Sequence, residues 1–483
     1  MIQEEENDPL LISHRPQKQQ DESETERLII RTWLESKKIW QIAGPSIFSR
    51  LAMFFVTVIV QSFAGHLSDL DLAAISIGTT VIISLTFGFL LGMASVLETL
   101  CGQAYGAKQY HMLGIYMQRS WIVLFFCAVL LLPLFIFATP ILKFIGQPDE
   151  VAERTGLVAL WLIPFHLSFP FQFSLQRFLQ SQLQTGVIAW MSALVLGLHA
   201  FVSWVVVYKM RAGIVGSALT IAFAWWVSAL GMFGYTVCGG CHQTWTGFST
   251  QAFVGLWEFF KLSVASGVML ALENIYYRML VLLSGYLQNT KSSIDALSIC
   301  ITIYGWESMI PLGFLAATGV RVANELGAGN AKGAKFSITV SVFTSLAVGF
   351  LFWLIVMVFH EKLAMIFTSS IPVISMVNEL AVMLAFTILS SCIQPVLLGV
   401  AVGSGWQVIA AFVNIGSYYL VGVPLGLLLG WLLSFGVKGT WTGLLSGTIV
   451  QTLILAAITL RCEWDKEVQK ARINITREMA SNQ

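Results

Sequence analysis

Apolar runs of about 20 residues or more, the length needed to cross a bilayer, recur along the whole chain and are separated by short polar or glycine-bearing breaks. Read against that punctuation, spans are predicted near 39–66, 72–100, 112–141, 152–177, 184–208 and 212–237. A second set follows near 253–287, 294–322, 335–359, 375–400, 406–433 and 437–460. None alternates with the period of two that a barrel strand requires. A backbone crossing lipid must satisfy its own hydrogen bonds, so the expected class is an all-α integral membrane protein with twelve transmembrane helices. An even number of spans places both termini on one side.

The two sets repeat. Residues 64–66 (AGH) align with 284–286 (SGY), 74–77 (AISI) with 296–299 (ALSI), and 103–107 (QAYGA) with 324–328 (NELGA). The stretch from Pro170 to Gln182 aligns with that from Pro395 to Gln407, and the offset stays between 220 and 225 residues. A six-helix unit used twice gives parallel repeats related by an axis along the membrane normal, a plan of transporters that rock one half against the other. The expected organisation is an N-terminal tail over 1–38, a six-helix lobe over 39–238, an interlobe loop over 239–252, a second lobe over 253–460 and a C-terminal tail over 461–483.

Composition supports the membrane reading: 56% of residues are apolar and 11% charged, against about 25% charged in a soluble domain. The net charge of +1 and the scatter of basic residues give no groove for nucleic acid, which is excluded as a partner. Arg27, Arg31, Lys37, Lys38, Lys108, Lys261, Lys332, Lys335, Arg461 and Lys466 flank the helices on one side. Fewer, Lys143, Arg154, Lys209, Arg211, Lys291, Lys362 and Lys438, flank them on the other. That excess assigns the termini to the cytosol. The polar opening, with Glu4, Glu5, Glu6 and Asp8, has no apolar leader, so the first span is expected to act as its own insertion signal and the tail to be disordered. Glu6 followed by Leu10 and Leu11 has the form of an acidic dileucine sorting signal, which favours the vacuolar membrane over the plasma membrane. Cys238, Cys241 and His242 match haem-attachment spacing, but they fall in a short loop with no pocket and are read as a turn. No cofactor and no metal site are expected: there is no phosphate-binding glycine loop, and His66, His111, His166, His199, His242 and His360 are isolated.

An ionisable side chain at bilayer depth is costly unless paired or wetted, which makes each one a functional candidate. Glu273 lies midway along the seventh span, with Tyr276 and Tyr277 on its helical face and Arg278 directed elsewhere. Glu307 lies midway along the eighth, beside Trp306 and one turn before Pro311. Desolvation favours the neutral form of a carboxyl, so either is suited to carry a proton. The other reading for each is an ion pair with Arg278 that ties two helices together; it is the favoured one for Glu307, whereas the proton role is favoured for Glu273. Glu98 and Glu325 fall near helix ends, where charge is cheap, and are read as cytosolic gate or lobe-interface residues, not proton sites. Trp225, Trp226, Tyr304 and Tyr419 are further interior aromatics that either line a cavity or pack at an interface. Pro45, Pro164, Pro170, Pro311, Pro395 and Pro424 inside spans free backbone carbonyls and permit kinks.

The strings VRVANELGAGN (320–330), ETLCGQAYGA (98–107) and GSGWQ (403–407), set in a twelve-span double repeat, resemble the multidrug and toxic compound extrusion family, in its plant detoxification branch, over residues 37–462. The resemblance implies a V-shaped pair of lobes and a monomer. It also implies export of organic cations, flavonoid conjugates or alkaloids from the cytosol by proton antiport. It places the coupling glutamate at Glu273 and the shared lobe motif at Glu98, Gln103, Asn324 and Glu325. Arg278, Ser391, Gln394, Asn414 and Tyr418 become cavity partners, with Tyr276, Tyr277 and Trp306. The chain departs from many relatives in having Ser391 where an acidic residue stands three positions before Gln394, and its first span has no acid at all. The alternative is a flippase for amphipathic or lipid-linked substrates, independent of a pH gradient. An enzyme and a passive channel are disfavoured, since neither a catalytic cluster nor a symmetric pore-lining segment is present.

Overall fold

The computed structural model describes the backbone over residues 17–285 and 291–481 and side chains over 25–279 and 295–480. The dileucine pattern at Glu6, Leu10 and Leu11 lies outside the described residues, as do Tyr286 of the repeat and the side chain of Lys291.

The described chain is helical, with no strand. In order come α1 (Gln17–Gly65), α2 (Asp69–Gly106), α3 (Tyr110–Ile136), α4 (Asp149–Trp161 and Ile163–Ser181), α5 (Thr185–Lys209) and α6 (Gly213–Gly240). Then follow α7 (Leu256–Gly285), α8 (Lys291–Glu307 and Met309–Gly327), α9 (Ala331–Phe367), α10 (Ile371–Ser404), α11 (Gln407–Leu432), α12 (Gly436–Arg461) and α13 (Trp464–Ser481). Among the described residues ten of these are long and apolar enough to span a membrane, and the bent pair of α4 makes an eleventh. Helix α7 has the length, at 30 residues, but Glu273, Asn274 and Arg278 in its middle lower its apolar character. It completes the twelve expected from the repeat.

Proline explains where the helices bend and which carbonyls come free. The two parts of α4 meet at 46°, with Pro164 just past the break. Pro45 cannot donate to the carbonyl of Gln41, and the Thr185 hydroxyl of α5 takes that oxygen at 2.7 Å. Pro311 likewise cannot bond to Glu307, where α8 is interrupted at Ser308. Short π turns at Gly78–Ile83 and Ile415–Gly422 interrupt α2 and α11.

Helices α1 to α6 pack around Phe87, Phe165, Phe169, Phe173 and Trp225, whose rings meet at 4.9 to 6.1 Å. Helices α7 to α12 pack around Tyr276, Leu384, Tyr418 and Trp441. The two groups meet where α1 lies on α8 and where α2 lies on α7 and α8. Small residues let these backbones touch. A Cβ at Gly106 would collide with the Asn324 carbonyl, and one at Gly327 with the Gln103 carbonyl, so the repeated motif closes on itself reciprocally.

Two expectations are corrected at the termini. The disordered tail expected over 1–38 does not hold from Gln17 onward, because α1 runs unbroken into the first span. The C-terminal tail after 461 contains a packed helix: α13 buries Trp464 and Ala471 against Val322, Leu326 and Val400 of one group. Its far end reaches the other group, where Glu478 pairs at 2.6 Å with Arg119, itself 1% exposed.

Replacing Gly106 or Gly327 by Ala drives a methyl group into the opposing backbone. Each should lower the thermal-unfolding midpoint of the detergent-purified protein, followed by tryptophan fluorescence. Gly186→Ala, in open space, should not. Equal midpoints for all three would show that the contact does not hold the lobes.

Candidate functional site

Glu273 sits in the interior of the second lobe with 9% of its surface exposed. Its Oε1 accepts a hydrogen bond from Gln394 Nε2 at 2.8 Å, and its Oε2 has no partner. No cation pairs with it among the described residues. Arg278, five residues on, points to the other lobe, where its guanidinium donates to the Thr80 carbonyl at 2.6 Å. That carbonyl lies in the π turn of α2, in which the regular helical ladder is interrupted. The face argument from helical spacing therefore describes α7 correctly: the acid and the base of one helix do not meet.

Asn274, the residue after Glu273, and Tyr277, one turn on, line a cavity of about 320 Å3, of which Glu273 itself is not a lining residue. The rings of the cavity come from Tyr276, Tyr277, Tyr304 and Trp441, its polar wall from Asn274, Thr387, Ser391 and Thr448, and its one guanidinium from Arg278. Ser391 stands where the sequence departs from many relatives, and its hydroxyl is 3.0 Å from that of Tyr304. Tyr276 stacks on Tyr418 with centroids 4.1 Å apart, which fixes the floor of the cavity.

Of the eight residues expected to line a cavity, Tyr276, Tyr277, Arg278 and Ser391 do so. Four do not, and the reasons are physical. Gln394 is spent on Glu273. Asn414 and Tyr418 are fully buried behind the wall, joined through Gln451 by bonds of 2.8 and 2.9 Å. Trp306 is 45% exposed on the outside of the lobe, with its ring against Phe367 at 5.8 Å, because it points away from the face that carries Tyr304. The expected ion pair of Glu307 with Arg278 is also absent. Glu307 is 5% exposed and is approached by the Cys392 thiol at 3.9 Å, while its Oε2 has no partner. Asn274, Thr387, Trp441 and Gln451 were not singled out from sequence. Gln451 was detectable as an amide within an apolar span, whereas the others lie where polar residues are common.

The first lobe treats its carboxyl differently. Glu98 was expected near a helix end with cheap charge, but it is fully buried, two turns inside α2, and is paired with Arg177 of α4 at 2.7 Å. Arg177 also donates to Gln180 at 3.1 Å, and the second Glu98 oxygen faces Gly319 of α8. Next to it the lobes are stitched by polar contacts. Gln103 donates to the Gly403 carbonyl at 3.3 Å, Gln407 to the Thr99 hydroxyl at 2.8 Å, and that hydroxyl to the Val402 carbonyl. Asn324 offers its carbonyl to the seam at Gly106. Glu325 is an outlying member, which accepts bonds from Arg321 and from Asn330, the latter at 2.7 Å. Among the described residues no group of His, Cys, Asp and Glu is placed to hold a metal.

A lipid-embedded helical double repeat with a buried carboxyl on a helix that lines an aromatic cavity defines a membrane transporter. Comparison with known proteins agrees. The MatE family model matches residues 45–205 and 265–428. The Arabidopsis thaliana proteins DETOXIFICATION 27 and DETOXIFICATION 26 are 57% and 54% identical. The first match covers 94% of both chains, the second 93% of this chain and 92% of the relative. The crystal structure of the eukaryotic MATE transporter AtDTX14 superposes with a TM-score of 0.87 at 34% identity, covering 92% of this chain and 99% of the other. A bent form of a Vibrio cholerae MATE transporter, at 16% identity and a TM-score of 0.78, shares the fold. The chain belongs to the multidrug and toxic compound extrusion family. It is a multi-pass membrane transporter of the detoxification type, not an enzyme.

Removing one member of the buried pair should be costlier than removing both. Arg177→Met leaves Glu98 with no direct ion-pair partner and only the more distant Arg50 as counter-charge, a loss of about 3 kcal/mol, whereas Glu98→Gln with Arg177→Met should recover part of it. Unfolding in detergent measures both; a double variant no more stable than the single one would contradict the pairing.

Proposed function

We propose that this transporter exports organic solutes from the cytosol in exchange for protons, with Glu273 as the coupling carboxyl. The observation that carries the reading is the setting of Glu273: buried, bonded to a neutral amide, without a cation, and on the helix that brings Asn274 and Tyr277 to a cavity lined by rings. Without a permanent counter-charge, the carboxyl can alternate between neutral and ionised forms as the lobes expose it to either side. Glu307, also unpaired by a cation, is the second candidate on the proton route. The exchange has enough drive, since each pH unit supplies about 1.4 kcal/mol per proton, or tenfold accumulation in one-for-one exchange.

Alternating access requires the lobes to part at the seam of Gln103, Asn324, Gly106 and Gly327. The excess of basic residues flanking that end, Lys108 and Lys332 among them, supports a cytosolic position for it and for both termini. The cavity is completed within one chain, which supports a monomer as the working unit. The vacuolar membrane is the favoured location, on the dileucine pattern.

In sealed vesicles with an imposed pH difference, an organic cation or a flavonoid glucoside should accumulate on the acidic side, and Glu273→Gln should abolish the accumulation while leaving the protein folded in the membrane. Full gradient-driven transport by that variant would remove Glu273 from the mechanism. Wild-type transport that ignores the gradient would point instead to a flippase-like carrier.

A further inference from the structure

The helix that follows the last span presents one continuous face to both lobes. Along α13, Trp464, Val468, Ala471, Ile475 and the neighbours Glu478 and Met479 recur every three to four residues and fall on one side. Lys466, Lys470 and Ile473 fall on the other side and are exposed. A Cβ at Gly329 would lie 3.9 Å from Arg472, so α13 covers the turn just past the seam glycine Gly327.

The start of α13 is its root. Trp464 and Ala471 are buried with Val322 and Leu326 of α8, Ala334 of α9 and Val400 of α10. The Trp464 ring also lies 5.7 Å from that of Trp406, whose indole N–H donates to Glu467 at 3.1 Å. All of these partners belong to the second lobe, whereas the tip of the helix belongs to the first. Glu478 pairs with Arg119 of α3 at 2.6 Å, and Met479 packs on the cluster that holds Leu97 and Tyr116. Arg119 is itself fixed in place. Its guanidinium lies 5.7 Å from the centre of the Tyr116 ring and donates to the Gln251 carbonyl of the interlobe loop at 3.4 Å.

Root and tip differ in strength. The root buries an indole and several apolar side chains, whose area would return to water if it left. The tip is a half-buried methionine and one ion pair whose carboxylate side chain is 30% exposed, a contact that water replaces at little cost. Between Ala471 and Glu478 lie about 10 Å of helix, which does not stretch. The lobes therefore cannot part at this end with both root and tip seated, and the tip is the end that lets go.

We infer that α13 is a strap that restrains the opening of the seam, with Glu478 and Arg119 as its catch. Each opening at Gln103, Asn324, Gly106 and Gly327 breaks the catch, so this one pair sets the fraction of molecules open at that end. The inference rests on the export reading for the lobes parting there.

The test places a reporter thiol in the seam. The Asn324 side chain is 7% exposed, faces Gly102 of the first lobe and has no partner at Oδ1, so Asn324→Cys gives up no bond there. Full-length protein carrying this change, in lipid nanodiscs without solute or gradient, is reacted with a charged maleimide, and the adduct on the peptide containing residue 324 is followed by mass spectrometry. Adding Glu478→Gln should speed labelling about fivefold, the scale of one half-exposed ion pair, and Glu478→Lys, which opposes two cations, at least as much. The buried thiols Cys127 and Cys300, one inside each lobe, should stay unreacted throughout. Equal labelling rates with and without the Glu478 changes would overturn the proposal. So would faster labelling that extends to Cys127 and Cys300, because the pair would then serve the folding of the lobes. Failure of the antiport reading shows elsewhere, as Glu273→Gln that still responds to the pH gradient while the labelling ratio is as expected.

Discussion

A carboxyl group inside a membrane must be given a counter-charge or be free to lose its own, and the two lobes of this transporter adopt one solution each. Glu98 in the first lobe is locked to Arg177. Glu273 in the second has only the amide of Gln394. A locked pair is a fixed structural charge and cannot exchange protons without losing its stabilisation. An unpaired carboxyl can, and the second lobe holds two without a cation, Glu273 and Glu307. The asymmetry between the lobes is therefore chemical even though the helices repeat.

The repeat serves a different purpose at the seam. Gly106 and Gly327 occupy equivalent places in the two copies, and each is packed against the backbone of the other copy's motif. Contacts made by glycine and main-chain carbonyls form and separate with little side-chain rearrangement, which suits a surface that opens in the proposed exchange cycle. Around them Thr99, Gln103 and Gln407 exchange a few hydrogen bonds with the opposing backbone. Helix α13 is rooted on the second lobe and reaches Arg119 of the first, adding a tie outside the membrane-spanning helices.

Much of this was legible along the chain because lipid imposes simple rules. Apolar runs had to be helices, the constant offset had to mean two copies, and a lone acid amid apolar neighbours marked Glu273. Where the reading went astray, the missing information was direction in space. Trp306 is adjacent to Glu307 in sequence and was grouped with it, yet neighbouring residues on a helix diverge by about 100° and this one faces outward. Glu98 was judged by its distance from a helix end, which says nothing of what covers it, and α4 and α8 bury it completely. Asn414 and Tyr418 were placed on the cavity by resemblance, but their side chains complete a network behind it.

The sequence alone determined the solvent, the helical class, the duplication and the presence of a lone acid, Glu273, amid an apolar span, because each follows from composition and period along one dimension. Only the tertiary structure decided which charges meet and which rings face a common space. Those are properties of side chains converging from helices far apart in the chain, such as Ser391 with Tyr304 or Glu98 with Arg177, and no spacing rule within a single helix encodes them.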